Sequence, residues 1–254
     1  MTCSRPWMFL GLVQIGLALV MFCQPGRQSA AEKPTTADTP QSQAEKSEKA
    51  TKTPPPKKKS EGDGKSLFDG KTLKGWKTPD FGGQGNVLVK DGAIVMEAGN
   101  MMTGVTWTGK PPRNNYELSL EGKRIQGNDF FCTTTFPVGD DPCSLVVGGW
   151  GGALVGLSSI DGMDASENAT TKYLLFKRNQ WYRIRIRVTD AAVDAWIDDE
   201  HVVNQSRKGH KFTIRSEVEL CRPLGICTWG TTGAVRNVRL GSLEGSAAKA
   251  ESKK

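Results

Sequence analysis

Strict alternation of apolar and charged residues in the segment YRIRIRVTDAAVDAWI (182–197) is the feature that most constrains the fold of this chain. Arginines separate Ile184, Ile186 and Val188, and the same period of two resumes after a turn at Thr189–Ala192. Side chains two residues apart lie on one face of a β-strand, so the pattern predicts an antiparallel hairpin with one buried face. A shift of one residue would place arginines in the core, so the alternation also predicts the register.

In this register Val188 faces Val193 and Ile184 faces Ile197 on the buried side. The other face then pairs Arg187 with Asp194, Arg183 with Asp198, and Arg185 with Trp196. Opposite charges and a cation–π pair support each other across the two strands. The arginine stripe is either a paired, solvent-facing surface or a site for an anion.

Short alternating runs bounded by glycine turns recur along the chain, and no segment of residues 66–240 has a convincing helical period. The runs are NVLVKDGAIVMEAG (86–99), YELSLEGKRI (116–125), FFCTTTFPV (130–138), YLLFKR (173–178), GICTWG (225–230) and AVRNVRL (234–240). Many short strands separated by turns indicate an all-β sandwich or barrel.

The ends of the chain predict export and a tether. Residues 1–31 have Arg5, an apolar run of 16 residues and small residues before Ala31, which is the pattern of a cleaved secretory signal. The run is shorter than the ~20 residues of a membrane-spanning helix. We therefore expect a periplasmic, cell-surface or extracellular protein, with membrane contact only through an uncleaved signal or the basic tether.

Residues 32–65 contain no Val, Ile, Leu, Met or aromatic residue, which predicts a disordered Pro/Lys-rich tether. Residues 241–254 form a similar tail, so residues 66–240 are the predicted domain. Of the net charge of +7, only about +2 belongs to that domain. This charge is too small to indicate a nucleic-acid partner.

Four cysteines remain once the signal is removed. An even number in an exported chain is typical of disulfides, and short loops favour Cys132–Cys143 and Cys221–Cys227. The chain has only two histidines and no Cys-x-x-Cys motif, so the sequence predicts no metal site of the zinc type.

Several segments resemble one family. LFDGKTLKGW (67–76), NVLVKDGAIVMEAG, NYELSLEGKR (115–124), the Trp-led hairpin from 181 and AVRNVRL are similar, in order, to the 3-keto-disaccharide hydrolase domain family. The resemblance implies an all-β, concanavalin-like jelly-roll sandwich of antiparallel strands. It also implies cleavage of 3-keto-glycosides, with a carbohydrate as ligand or substrate.

The chain departs from the family pattern in three places, of which one is Asp198–Asp199 in place of the family's hairpin Asn–Gly. Where the family commonly reads Asn-Ser-Gly-Ile, this chain reads NDFF (128–131), which makes Asp129 a substrate-binding candidate. The family's Tyr-Glu-x-Gln segment has no counterpart between Phe131 and Thr170, so the family's site residues do not map onto this chain.

GGWGGALVGLSSIDGMDASENAT (148–170) occupies that gap. Trp150, framed by glycines, is either a flat platform for a sugar or a core residue beside Leu154. Asp161, Asp164 and Glu167 are catalytic candidates at a spacing of three, and Asn168 is a substrate-binding candidate. These oxygens also make Ca²⁺ an alternative, and a solvated connecting loop is another.

Glu117 and Glu121 lie on one face of a predicted strand and are further catalytic candidates, because two carboxylates can act as acid and base on a glycoside. A solvent-exposed outer face is the alternative. Two functional classes beside the hydrolase therefore stay open: a non-catalytic carbohydrate-binding module and a structural domain of the cell envelope.

Overall fold

A computed structural model describes residues 64–243 of the chain. The predicted signal, the tether up to residue 63 and the tail beyond residue 243 lie outside these residues and stay predictions. Strand pairing starts at Lys65 and ends at Ser242, slightly beyond the predicted limits of 66 and 240. Within residues 64–243, no helix is both long and apolar enough to span a membrane.

The described chain folds into two antiparallel sheets. In spatial order, the eight-stranded sheet contains β13 (Glu200–Ser206), β12 (Ala192–Ile197), β11 (Trp181–Val188), β6 (Tyr116–Gln126), β15 (Thr232–Ser242), β4 (Ala93–Met96) and β3 (Val87–Lys90), with β1 (Lys65–Ser66) also paired to β15. The seven-stranded sheet contains β10 (Lys172–Tyr173), β9 (Leu154–Ser158), β8 (Asp141–Gly149), β7 (Thr133–Val138), β14 (Gly225–Trp229), β5 (Met102–Trp107) and β2 (Trp76–Lys77). A single 3₁₀ helix, Ser216–Cys221, precedes β14 in the described part.

The core lies between the two sheets and follows from the alternation of the strands. Leu118 and Leu120 of β6 and Ile184 of β11 face Phe136 and Leu145 of the opposite sheet within one apolar cluster. Burying a side chain of this size stabilises the fold by about 1.5–3 kcal/mol. The predicted all-β sandwich is confirmed.

The predicted hairpin register is also confirmed. Ile184 pairs with Ile197 and Val188 with Val193, and the amide of Thr189 donates to the carbonyl of Ala192 in the turn. The guanidinium of Arg185 lies 4.0 Å from the ring centroid of its cross-strand partner Trp196.

One charged pair of the hairpin differs from the prediction, whereas Arg183 lies 3.8 Å from Asp198 as predicted. Although Arg187 lies opposite Asp194, its guanidinium donates to Glu117 of β6 at 2.9 Å. Asp194 instead accepts hydrogen bonds from Asn204 and contacts His201 on β13. Each strand of the hairpin, β11 and β12, has a second neighbour in the sheet, and a two-strand prediction does not include it.

The predicted strand YLLFKR (173–178) is mostly wrong. Only Lys172–Tyr173 pairs, at the edge of the seven-stranded sheet. The amide of Lys177 donates to the hydroxyl of Tyr182 at 2.7 Å instead of to a strand. Leu174 and Phe176 pack against the core from an irregular segment, so apolar spacing alone misidentified this stretch.

The predicted disulfides are absent, since Cys132, Cys143, Cys221 and Cys227 are all free and buried. For the first pair the register explains why: Cys143 lies opposite Phe136, four residues along the strand direction from Cys132. This offset is about 13 Å, far beyond the reach of a disulfide. Cys221 and Cys227 pack in one small apolar cluster with no bond between them.

We expect none of these four thiols to react with Ellman's reagent in the native protein, because all four are fully buried and burial raises the pKa of Cys132 and Cys143. Protein comprising residues 32–254, which lacks Cys3 and Cys23, should show four reactive thiols once it is unfolded in denaturant without reductant. A count of two would contradict the free state and identify one disulfide.

Candidate functional site

A cleft of about 220 Å³ lies on the face of the seven-stranded sheet that is turned away from the core. Its floor consists of side chains from β7, β8 and β9. Its walls come from three connecting segments: the one after β6, the turn between β8 and β9, and the start of the 3₁₀ helix.

Thr133, Ser144 and Ser158 form the polar floor of the cleft. Each occupies a strand position of the parity that points away from the core. Ser144 shares a hydrogen bond of 2.8 Å with Thr135. By contrast, Thr133 Oγ1 and Ser158 Oγ, in residues only 1% and 2% exposed, have no hydrogen-bond partner among residues 64–243. Buried hydroxyls without a partner are costly, so these two atoms favour a polar ligand or water in the cleft.

Apolar side chains surround the polar floor. The rings of Phe130 and Trp229 lie 6.2 Å apart at a tilt of 50°, and Val146 and Val218 complete the apolar lining. The cleft therefore combines aromatic walls with a few hydroxyl groups, which is the usual composition of a small-molecule site.

Trp150 also lines the cleft, and its residue is 45% exposed. The turn that carries it has positive φ at Gly148 (77°), Trp150 (46°), Gly151 (86°) and Gly152 (109°). Glycine adopts such angles without steric cost, which explains the GGWGG sequence. Of the two alternatives for Trp150, a platform and a core residue beside Leu154, the structure has the exposed ring. Leu154 is buried in a small apolar cluster that does not include Trp150.

Arg215 forms the ionic edge of the cleft. Its guanidinium donates to Asp164 and to Glu217, each at 2.7 Å. Burial alone would raise the pKa of Asp164, but hydrogen bonds from Ser166 and Arg215 outweigh burial and hold this pKa below its ordinary value. The hydrogen bond from Arg215 likewise lowers the pKa of Glu217. Both carboxylates are therefore ionised and already paired.

Asp129 is the carboxylate of the cleft with an oxygen to spare. Its Oδ1 accepts a hydrogen bond from the amide of Phe130 at 2.7 Å. Its Oδ2 has no hydrogen-bond partner within the described range 64–243. The NDFF segment, where the chain departs from the family pattern, thus supplies both an aromatic wall and a carboxylate to the cleft.

The other carboxylates of the 148–170 segment do not converge. Asp161 accepts a hydrogen bond from the amide of Lys211 and contacts the ring of His210 at 2.7 Å. The bond from Lys211, and after it the contact with His210, lowers the pKa of Asp161. Asp164 turns to Arg215, and Glu167 is exposed. Residues 64–243 contain no cluster of three or more His, Cys, Asp or Glu side chains able to hold a metal. The predicted oxygen ligands therefore do not form a calcium site here.

Asn168 organises the loop and does not face the cleft. Its amide nitrogen donates to the carbonyls of Leu157, Met163 and Asp164, and its oxygen accepts from Thr170. This buried side chain ties the loop to β9.

Glu117 and Glu121 lie on the outer face of the eight-stranded sheet, away from the cleft. Glu117 pairs with Arg187 and Glu121 with Arg236, at 2.9 and 2.7 Å. Four residues of strand separate the two carboxylates by about 13 Å, more than the roughly 5–10 Å of glycosidase acid–base pairs. Of the two alternatives for this face, the structure has the solvent-facing one.

A profile of the 3-keto-alpha-glucoside-1,2-lyase-like domain family matches residues 63–241. The chain belongs to this family. The resemblance of its segments to the 3-keto-disaccharide hydrolase domain family is thereby confirmed, and the chain is a carbohydrate-active β-sandwich domain by family and fold. A search of curated proteins found no match to it.

Several solved structures are similar to part of this chain, at low identity and with TM-scores below 0.5. Carbohydrate-binding module CBM66 from Bacillus subtilis has a TM-score of 0.47 and 13% identity, covering 66% of this chain and 96% of its own. A protein with a galectin-like fold from Bacillus subtilis has a TM-score of 0.48 and 9% identity, and the match covers 67% of this chain and 90% of that protein. A putative glycosyl hydrolase from Parabacteroides distasonis has a TM-score of 0.44 and 14% identity, and the match covers 70% of this chain and 92% of that protein.

The sequence did not indicate several residues of the cleft in this lyase-like domain. Thr133 and Ser158 belong to strands in which nearly every residue is buried, so the alternation that marks one face as polar is weak there. Arg215 and Glu217 reach the cleft from a segment that lies more than 50 residues after Asp164 in the chain. The arginine next to a Ser-Glu pair (RSE, 215–217) carried no pattern that distinguished it from a surface ion pair.

Replacing Asn168 by Ala should lower the free energy of unfolding by about 1–3 kcal/mol, because three carbonyls and Thr170 lose their partner. Urea unfolding followed by tryptophan fluorescence measures this loss. The matched control is Glu167→Gln at the exposed neighbouring position, which should stay within about 0.5 kcal/mol. Unchanged stability with weakened sugar binding would instead favour the predicted binding role of Asn168.

The Arg215 pairs should stabilise the protein only above acidic pH. Because the folded pKa values of Asp164 and Glu217 are lowered, their contribution is complete above the unfolded values of about 4 and is lost as the pH falls through the lower folded values. At pH 7 the free energy of unfolding of the wild type should exceed that of Arg215→Met by less than about 1 kcal/mol, since these groups are partly exposed. This difference in stability should shrink near pH 3. Urea unfolding at both pH values measures it.

The control for this pH series is Lys208→Met, which removes an exposed cation of the same domain without touching the cleft. A difference between wild type and Arg215→Met that stays constant from pH 7 to pH 3 would contradict the assignment of the pairs.

Proposed function

We propose that the cleft binds the ring of a 3-keto-glycoside and that the domain cleaves its glycosidic bond. The observation that carries this proposal is the pair of buried hydroxyls without partners, Thr133 Oγ1 and Ser158 Oγ, between aromatic walls. Membership of the 3-keto-alpha-glucoside-1,2-lyase-like family supports the ketone and the bond that breaks.

A sugar ring fits this combination of groups. Its C–H face packs on an aromatic ring such as Trp150 or Trp229, while its oxygens need a few well-placed hydrogen-bond partners. A volume of about 220 Å³ admits one monosaccharide ring, with the rest of the glycoside in solvent. The cleft therefore suits a terminal keto sugar.

The chemistry of such a sugar requires one base and one stabilising donor. A ketone at C3 acidifies the proton on C2. When a base removes this proton, the C2–H electron pair forms a C1=C2 double bond and the C1–O bond breaks. The departing oxygen takes a proton, so the products are an alcohol and a 2-hydroxy enone, to which water can add.

Asp129 is our choice for the base. It lines the cleft and keeps one carboxylate oxygen without a partner among residues 64–243, whereas Asp164 and Glu217 are both engaged in ion pairs with Arg215. Protonated Asp129 then returns the proton to the departing oxygen. Thr133 on β7 and Ser158 on β9 are about 12 Å apart, because two inter-strand spacings and two residues along the strand separate them. One of these hydroxyls is therefore the donor for the ketone oxygen, on which negative charge develops, and the other meets a different oxygen of the sugar.

A non-catalytic carbohydrate-binding module is the second candidate. The observation that favours it is the pairing of Arg215 with two of the three carboxylates around the cleft, which leaves Asp129 without a separate acid. In either case the partner is a carbohydrate. It would be met outside the cytoplasm if the export predicted from residues 1–31 holds.

The test is the release of p-nitrophenol from p-nitrophenyl 3-keto-α-glucoside by the wild type and by two variants. Asp129→Asn should lower kcat by about 100-fold or more, since it removes the base but keeps the shape of the side chain. Trp150→Ala should mainly raise KM. Glu167→Gln, which removes an exposed carboxylate outside the cleft, is the matched control and should behave as wild type.

Turnover that Asp129→Asn leaves intact would overturn the assignment of the base. Absence of turnover in the wild type, together with calorimetric binding of the keto-glycoside that Trp150→Ala abolishes, would leave the binding module. If neither turnover nor binding occurs, the cleft is not a site for this sugar class.

A further inference from the structure

Arg124 is a buried cation with no carboxylate at ion-pair distance within residues 64–243. It ends the inward-facing row of β6 and is only 6% exposed. Desolvation lowers its pKa, while Asp129 is among the groups whose charge acts in the opposite direction. A charged group in such a place must be held by other interactions, since burying it unpaired is costly.

Two kinds of contact hold the guanidinium. Its Nη2 donates to the carbonyl of Gly152 at 2.7 Å and to that of Gly148 at 3.3 Å. Its carbon lies 5.0 Å from the ring centroid of Phe131 and 5.9 Å from that of Phe176, which is cation–π distance. The planar group thus bridges the two ends of the turn that carries Trp150.

Two glycines of this turn, Gly148 and Gly152, pack closely against the arginine beneath them. A Cβ atom at Gly148 would lie 2.4 Å from Nη2 of Arg124. A Cβ atom at Gly152 would lie 3.0 Å from Nη1 and 2.9 Å from the carbonyl oxygen of Asn128, next to Asp129. The GGWGG turn therefore rests both on Arg124 and on the segment that supplies Asp129 to the cleft.

We propose that Arg124 is a positioning residue of the cleft: its buried guanidinium fixes the Gly148–Gly152 turn and thereby sets the Trp150 ring over the bound ligand. Arg124 itself does not line the cleft and acts on it through the turn that carries Trp150. The expected effect of Arg124 on ligand binding rests on the proposed function. The expected effect of Arg124 on the turn rests on the geometry alone.

The test for the turn needs no ligand. In full-length protein, Arg124→Lys keeps the charge but cannot bridge two carbonyls with one planar group. Amide hydrogen exchange of residues 148–152 should become at least about ten-fold faster, while that of Leu118 and Leu120 in the core should not change. The matched control is Arg178→Lys, an exposed arginine that donates to the carbonyl of Gly127 instead.

The test for the ligand is a double-mutant cycle. In the wild-type background, Arg124→Lys should raise KM for p-nitrophenyl 3-keto-α-glucoside by about ten-fold and leave kcat little changed. In the Trp150→Ala background the same substitution should raise KM by less than about two-fold. If no turnover occurs, Kd takes the place of KM. If Arg124→Lys does not fold, Gly148→Ala provides the comparison, because the atom closest to its methyl group would be Nη2 of Arg124, at 2.4 Å, whereas a methyl group at Gly152 would lie closest to the carbonyl oxygen of Asn128, next to Asp129.

Unchanged exchange at residues 148–152, or an equal rise in KM in both backgrounds, would overturn the role of Arg124. A Trp150→Ala variant with unchanged KM would overturn the proposed function, and hydrogen exchange would still decide whether Arg124 holds the turn. The two failures are therefore distinguishable.

Discussion

The period of two along each strand determines which side chains pack between the sheets, and every other feature of the domain depends on this packing. On β8, Cys143, Leu145 and Val147 belong to the core, whereas Ser144 and Val146 point to the opposite face. The apolar set alone is enough to hold the strand in place. The intervening positions are thereby presented in a defined array, and in the seven-stranded sheet this array is the floor of the cleft.

The walls of the cleft are loops, and two arginines hold them by different physical means. Arg124 is buried, so carbonyl groups and aromatic faces replace its hydration. Arg215 is partly exposed and pairs with Asp164 and Glu217, which come from separate segments of the chain. The first arrangement is insensitive to the protonation of carboxylates, whereas the second depends on it. A sandwich with conventional sheets thus carries an individual site through its loop contacts.

Predictions made from local patterns agree with the structure where one pair of neighbouring segments decides the outcome. The register of the 182–197 hairpin is an example. Predictions failed for two different reasons: in one case a third strand takes part, and in the other the spacing in sequence did not reflect the distance in space. Arg187 turns to Glu117 on another strand, and the Cys132–Cys143 pairing ignored an offset that follows from the β7–β8 register. Loop length was a poor guide to proximity because strands are extended.

For the cleft, the sequence identified Trp150 and Asp129 but grouped them with carboxylates that lie elsewhere. The residues alone establish the fold class, the hairpin register, the glycine-rich turn and the family, because each depends on local periodicity, backbone freedom or an ordered set of segments. Only the folded chain decides that Thr133 and Ser158 lack partners, that Arg215 meets two carboxylates and that Arg124 lies beneath Trp150. These features are contacts between residues distant in sequence, and such contacts leave no local pattern in the chain.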